Sequence, residues 1–277
     1  QIENIVLNTE NYNKIPTKGL KTGTATRFND TIGKYSEYLK LSLERNQNFK
    51  NIKVVLDCAN GATYQIAPTI FRELGCNVIS INNQPNGKNI NDRCGAVNVK
   101  QLSKKVLESK FDIGFAFDGD GDRLIIVDEK GHTIDGDRIL ALLSKELINN
   151  NALNKKTVVA TVMSNLGFEN YLKNILDIKL IRTAVGDINV IEEMQKNSLS
   201  LGGEQSGHII FGKYGKTGDG ILTSLKILEI LKKSKIKTSE LFNIYDSYPQ
   251  EKINIPLNGK LKNELIDKIQ NLSVDCR

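Results

Sequence analysis

The 277-residue sequence predicts two consecutive α/β units of about 100 residues each, and three observations carry that prediction. Short β-rich apolar runs alternate with stretches whose apolar residues recur at helical spacing. Clusters of Gly, Asn and Asp punctuate the joins between them. The whole pattern then restarts after Asn151. A composition 39% apolar and 25% charged, with no apolar run near the roughly 20 residues that span a bilayer, excludes both membrane-spanning and disordered classes.

Residues 1–30 carry Pro16, Gly19, Gly23 and several Thr and predict a tail or linker, followed by the helix-like "DTIGKYSEYLKLSLERN". "IKVVLD" (52–57) is a strand, "CANGAT" a turn, "YQIAPTIFRELG" a helix stopped by Gly75, and "CNVISIN" a second strand, which together make a βαβ unit. After the loop "NQPNGKNINDRCGAVN", a helix near 98–110 leads into the strand "FDIGFAF". "LIIVDEKGHTIDGD" then predicts strand, turn and return, with His132 as a turn residue, before the helix "RILALLSKELINN". The second unit runs strand "TVVATVM", turn "SNLG", helix, strand "IKLIRTAV", turn "GD", helix "VIEEMQKN", the stretch "LGGEQSGHIIF" and a long helix "GILTSLKILEILKKSK". A third segment near Tyr248 offers the strand "PQEKINIPL" and the helix "KNELIDKIQNL", too few residues to close a core. No period of 20–50 residues repeats.

The formal charge is +6, with Lys scattered along the chain. Without a basic block or interleaved aromatics, nucleic acid is not the expected partner, and a mild attraction for phosphorylated substrates is what the charge leaves. Cys58, Cys76, Cys94 and Cys276 form no Cys-x-x-Cys pair, and the two histidines lie far apart, so a zinc cluster is excluded. The opening residues lack the basic start and apolar core of a signal peptide, and a cytoplasmic protein with free thiols is expected.

The chemistry concentrates in "FAFDGDGDRLIIVDEKG" (115–131), where Asp118, Asp120 and Asp122 stand at every second position and Arg123 follows. Three like charges that close call for a compensating divalent ion, and magnesium and calcium both prefer such hard oxygen ligands. Numbered as an EF-hand, Asp118, Asp120, Asp122, Ile125 and Glu129 fall at positions 1, 3, 5, 8 and 12, but Arg123 takes the place of the required glycine. The flanks also alternate like strands, whereas an EF-hand loop joins helices. A loop at the carboxyl end of a strand is instead where α/β sheets keep ligands, and Arg123 suits a phosphate that shares the metal.

"DGDGDR" after a strand, then about 80 residues later "GEQSGH" and "TGDG", resembles the α-D-phosphohexomutase superfamily. "VVLDCANGATYQIAP", "FRELG", "PNGKNIN", "CGA", "TVMSNLG" and "TAVGD" are similar to its phosphoglucosamine mutase branch in particular. The resemblance implies two consecutive phosphohexomutase-type three-layer α/β domains with mixed sheets, plus partial flanking segments. In that frame residues 1–30 end a first domain, 31–150 form a second domain with the metal loop, 151–247 a third with the sugar loop, and 248–277 begin a fourth.

It further implies Mg²⁺ on Asp118, Asp120 and Asp122, sugar hydroxyls on Glu204, Ser206 and His208, and catalytic roles for Arg123 and His208. Each residue has a duller alternative: a buried His208 bonded to backbone, and Glu204 and Ser206 capping a turn. "TGDGI" is better explained as a helix start capped by Thr217 or Asp219, while Asp187 is expected to face the same cleft. The implied activity interconverts glucosamine 6-phosphate and glucosamine 1-phosphate through a phosphoserine and a 1,6-bisphosphate. The implied partners are a phosphorylated amino sugar and, for the full-length protein, a second copy in a homodimer, with no nucleic acid and no membrane.

Two departures qualify the match. The resemblance implies a phosphoserine in a Ser-His-Asn-Pro-like loop of the first domain and a phosphate-binding loop in the fourth; neither stretch occurs in the 277 residues, so this chain alone is expected to be inactive. At "VGDINV", Ile188 and Asn189 stand where relatives commonly carry Arg-Tyr. The alternatives are a phosphomannomutase or phosphoglucomutase, or a non-catalytic cation-binding protein.

Overall fold

In a computed structural model, residue 7, residues 24–26 and residues 30–251 are described. The strand and helix expected beyond Glu251, most of the N-terminal linker and Cys276 lie outside them. The chain divides into two compact units, up to Asn46 and from Gln47 onward. The first contributes helix α1 (Thr31–Ser42), whose N-cap Asp30 accepts a hydrogen bond from Gly33 N at 3.1 Å.

Both predicted α/β patterns fall in the second unit, each with its own mixed sheet. Strands β1 (Lys53–Asp57), β2 (Asn77–Ile81), β3 (Ile113–Phe117), β4 (Leu124–Asp128) and β5 (Thr133–Ile134) lie in the order β2-β1-β3-β4-β5. The β2, β1 and β3 strands are parallel, and β4 and β5 return antiparallel. The second sheet, in the order β7-β6-β8-β9, holds β6 (Thr157–Thr161), β7 (Lys179–Thr183), β8 (Leu201–Gly203) and β9 (Ile209–Phe211). Only its β8–β9 pair is antiparallel. Every residue of β3, β4 and β6 is buried, as expected of continuous apolar strands covered on both faces.

Five helices flank the sheets: α2 (Ile66–Glu73), α3 (Lys100–Ser109), α4 (Gly136–Asn149), α5 (Leu166–Ile175) and α6 (Asp187–Asn197). On one face of the first sheet Val55, Ala116, Ile125 and Val127 pack with Leu102 and Val106 of α3. On one face of the second, Val159 and Ile210 pack with Val190 and Met194 of α6. The opposite faces are covered out of chain order. Helix α4, which follows the first sheet, packs on β8 and α5 of the second. The long helix α7 (Gly220–Ser234), which follows the second sheet, packs on β3 and β4 of the first and contacts the short α8 (Thr238–Leu241). Helix α7 is buried nearly all round, from Ile221 and Leu222 to Ile230 and Leu231, which suits an element held between layers.

Cys58, Cys76 and Cys94 are buried free thiols whose burial pushes them up to about 12, 12 and 11. Among the described residues no helix is long and apolar enough to cross a membrane.

Candidate functional site

Parallel pairing aligns the carboxyl ends of β1 and β3, and the acidic loop leaves the sheet there. Gly121 turns the chain at φ +81, which non-glycine side chains seldom tolerate, and Arg123 N donates to Asp118 Oδ1 at 3.0 Å, closing the loop on itself. Asp118, Asp120 and Asp122 then each present one oxygen, all within 4.8 Å of one another. Asp118 is buried and Asp120 exposed. Burial raises the Asp118 carboxyl, the Arg123 N–H opposes that, and the neighbouring Asp122 raises it again. The Arg123 side chain stands beside the cluster, its Nε 3.8 Å from Asp118 Oδ2 and without a hydrogen-bond partner.

The stretches "DCANGAT" and "CGA" hold this loop from behind. Asp57 at the end of β1 is fully buried, which raises its carboxyl. It accepts from Gly95 N at 2.9 Å, Ala59 N at 3.0 Å and Asn82 Nδ2 at 3.1 Å. The turn so fixed lets Ala62 N donate to Gly119 O at 2.8 Å. Asp57 is thus a scaffold residue that sequence reasoning passed over, although its place at a strand end before a glycine turn is a usable signal.

The second motif is the β8–β9 turn. Gly207 (φ +94) donates through N to Glu204 O at 3.0 Å, and Leu124 N donates to Gly207 O at 3.0 Å. A side chain at Gly207 would collide with Leu124 O, so only glycine lets the turn lie against the start of β4. Glu204 is buried, its Oε1 accepting from Gly186 N at 3.0 Å and its Oε2 from Ser206 Oγ at 3.2 Å. Ser206 itself is exposed.

His208 is 1% exposed and joins the two motifs. Its Nδ1 lies 3.0 Å from Asp122 Oδ2, and its Nε2 accepts from Gly218 N at 2.9 Å. A side chain on Gly218 would come within 2.8 Å of that Nε2, so the "TGDG" glycine is what admits the ring. Asp219, one of the two cap candidates, caps α7 by accepting from Leu222 N at 2.9 Å.

The structure therefore brings Asp118, Asp120, Asp122, Arg123 and His208 together, with Glu204 and Ser206 in the adjoining turn. Asp187 is exposed and follows Gly186, the residue that Glu204 holds. His132 lies at the far end of β4, its N donating to Asp128 Oδ1 at 2.8 Å, as a turn residue. Both ring nitrogens of His208 are engaged within the chain, one of them by backbone as in the buried-histidine alternative, while the carboxylate partner of the other could not be read from the spacing of "GEQSGH".

The family model "Phosphoglucomutase/phosphomannomutase, alpha/beta/alpha domain II" matches residues 27–131, and the corresponding domain III model matches 135–248. The phosphoglucosamine mutase of Sulfurovum sp. is 45% identical over 272 residues, covering 98% of this chain and 61% of the relative. That of Campylobacter concisus is 48% identical over 250 residues, covering 90% and 55%. The chain thus spans about 60% of the length of the curated relatives it matches. A Burkholderia thailandensis phosphoglucomutase/phosphomannomutase family protein of known structure superposes with TM-score 0.70 at 26% identity, over 87% of this chain and 51% of that one. An Aspergillus fumigatus N-acetylphosphoglucosamine mutase, solved with GlcNAc-6P and magnesium, shares the fold with TM-score 0.62 at 21% identity, over 79% of this chain and 50% of that one. Motifs, folds and relatives agree: the chain belongs to the phosphoglucomutase/phosphomannomutase family of α-D-phosphohexomutases, and its two α/β units are that family's second and third domains.

Proposed function

We propose that this chain is the cation- and sugar-handling part of a phosphoglucosamine mutase, which interconverts glucosamine 6-phosphate and glucosamine 1-phosphate. The observation that carries the proposal is the fusion of the acidic loop and the "GEQSGH" turn through Leu124–Gly207 and Asp122–His208, which makes one surface of two chemically different motifs. The names of the 44–48% identical relatives support the amino sugar as substrate.

Asp118, Asp120 and Asp122 are the residues that would hold Mg²⁺. The fit is good: the donors are hard carboxylate oxygens within 4.8 Å of one another, and Asp122 Oδ1 is buried without a hydrogen-bond partner. Bound there, the ion would offset charge on a transferring phosphoryl group. The rest falls to the chain's own side chains. Ser206, exposed at the tip of the turn, and Glu204, which anchors it, orient sugar hydroxyls. The Arg123 guanidinium, on a partly exposed side chain beside Asp118, receives phosphate oxygens. The relay is a phosphorylated serine contributed from outside these 277 residues. We take the boundary between the two domains at Asp135 rather than near 150, because α4 works with the second sheet and the two family models meet there.

Isothermal titration of this chain with Mg²⁺ tests the cation site, and Asp120→Asn is expected to weaken binding by about tenfold or more. Unchanged affinity in that variant, or tight calcium-selective binding in the parent, would overturn it. Competing-substrate kinetics of the full-length protein test the sugar, with the highest kcat/KM expected for glucosamine 6-phosphate. A higher value for glucose or mannose 6-phosphate would move it to the sister enzymes.

A further inference from the structure

Resting on that cation site, we propose that His208 is its positioning residue: the imidazole fixes the Asp122 carboxylate so that one chosen oxygen faces the ion. Asp122 has two oxygens, and the structure treats them differently. Oδ2 lies 3.0 Å from His208 Nδ1, while Oδ1 is buried with no partner. A buried carboxylate oxygen left bare is unfavourable unless something absent from the protein's own hydrogen bonds completes it. With Oδ2 occupied, Oδ1 is the oxygen that Asp122 can offer.

The ring itself is held in one orientation and one tautomer. Gly218 N donates to Nε2 at 2.9 Å, so Nε2 carries the lone pair and the proton resides on Nδ1, directed at Asp122. The backbone bridge between Arg123 and His208 and the burial of the ring remove the freedom to turn away. His208 thus touches the ligand rather than the ion or the sugar. Groups that orient metal-ligating side chains in this way typically change metal affinity by about 10–100-fold when lost. A second consequence is that the sugar-loop turn and the cation loop are rigidly linked, because one residue belongs to both.

Two isosteres separate this role from general support of the fold. The amide nitrogen of Asn occupies the position of Nδ1 and can still donate to Asp122. Gln reaches the position of Nε2 and can satisfy Gly218, but leaves Asp122 Oδ2 bare. The full chain is titrated with Mn²⁺, free ion being followed by its electron paramagnetic resonance signal, and each variant's melting temperature is recorded alongside. His208→Gln is expected to weaken Mn²⁺ binding about tenfold or more, and His208→Asn to stay within about threefold of the parent although its melting temperature falls, because Gly218 N loses its acceptor. Parental affinity in a folded His208→Gln variant, with Asp120→Asn impaired, would overturn the positioning role and leave the cation site standing. Equal loss in the Asn and Gln variants would also overturn it, because it would mean that the ring only fills space. Absence of Mn²⁺ binding by the parent would overturn the cation site and this inference together.

Discussion

Asp137 has no exposed surface, yet only one of its two oxygens is satisfied: Oδ2 accepts from Asn165 N at 2.7 Å and Oδ1 has no partner. Burial pushes its carboxyl from 3.8 up to about 6, against the pull of the Asn165 N–H. Since the folded value lies above the unfolded one, the stabilising contribution is full below about pH 4 and is lost as pH rises through 6. Asp137→Asn keeps an acceptor for Asn165 without the buried charge. It is expected to raise stability at pH 8 by about 2 kcal/mol, or several degrees in melting temperature, with little gain at pH 4. Thermal melts at the two pH values decide it, and equal shifts at both would refute the burial argument. Individual residues were also where the sequence was most legible. The spacing of Asp118, Asp120 and Asp122 was enough to expect them side by side, and the structure brings one oxygen of each within 4.8 Å of the others.

At the scale of elements, the β8–β9 turn is the piece that cannot be rebuilt with other residues. Gly207 combines a left-handed φ with a contact that excludes any side chain, whereas Gly215, in the loop after β9, has nothing nearer than 3.8 Å to an added carbon. Gly207→Ala is expected to destabilise by about 2–4 kcal/mol and Gly215→Ala by less than about 1, measured from urea midpoints. A Gly207→Ala variant as stable as the parent would show that the turn can shift away from β4. Strands, helices and the order of both patterns were readable because apolar spacing is a local property. What lay out of reach was which sheet each helix covers. The buried faces of α4 and α7 show that they are packed but not against what, and the partner of His208 Nδ1 is 86 positions away in sequence, as the numbers of Asp122 and His208 give by difference.

For the molecule as a whole, the exchange of α4 and α7 makes the two sheets interdependent. Cutting the chain at Ile134 would remove α7 from the first sheet and leave β3 and β4 uncovered on one face. Residues 47–134 and 135–251 produced separately are therefore expected to lack cooperative unfolding, while the intact chain gives a single transition by circular dichroism and by calorimetry. Well-dispersed amide spectra from an isolated half would refute this. The same crossing has a temporal side. During vectorial synthesis the strands of the first sheet emerge complete at Ile134, but the helix that seals them opens only at Gly220. About 85 residues must be added in between, a delay of the order of ten seconds at typical elongation rates. Through that interval Phe117, Leu124 and their neighbours form a bare apolar surface on the ribosome-bound chain, and the nascent first half is the stage at which chaperone capture would be strongest.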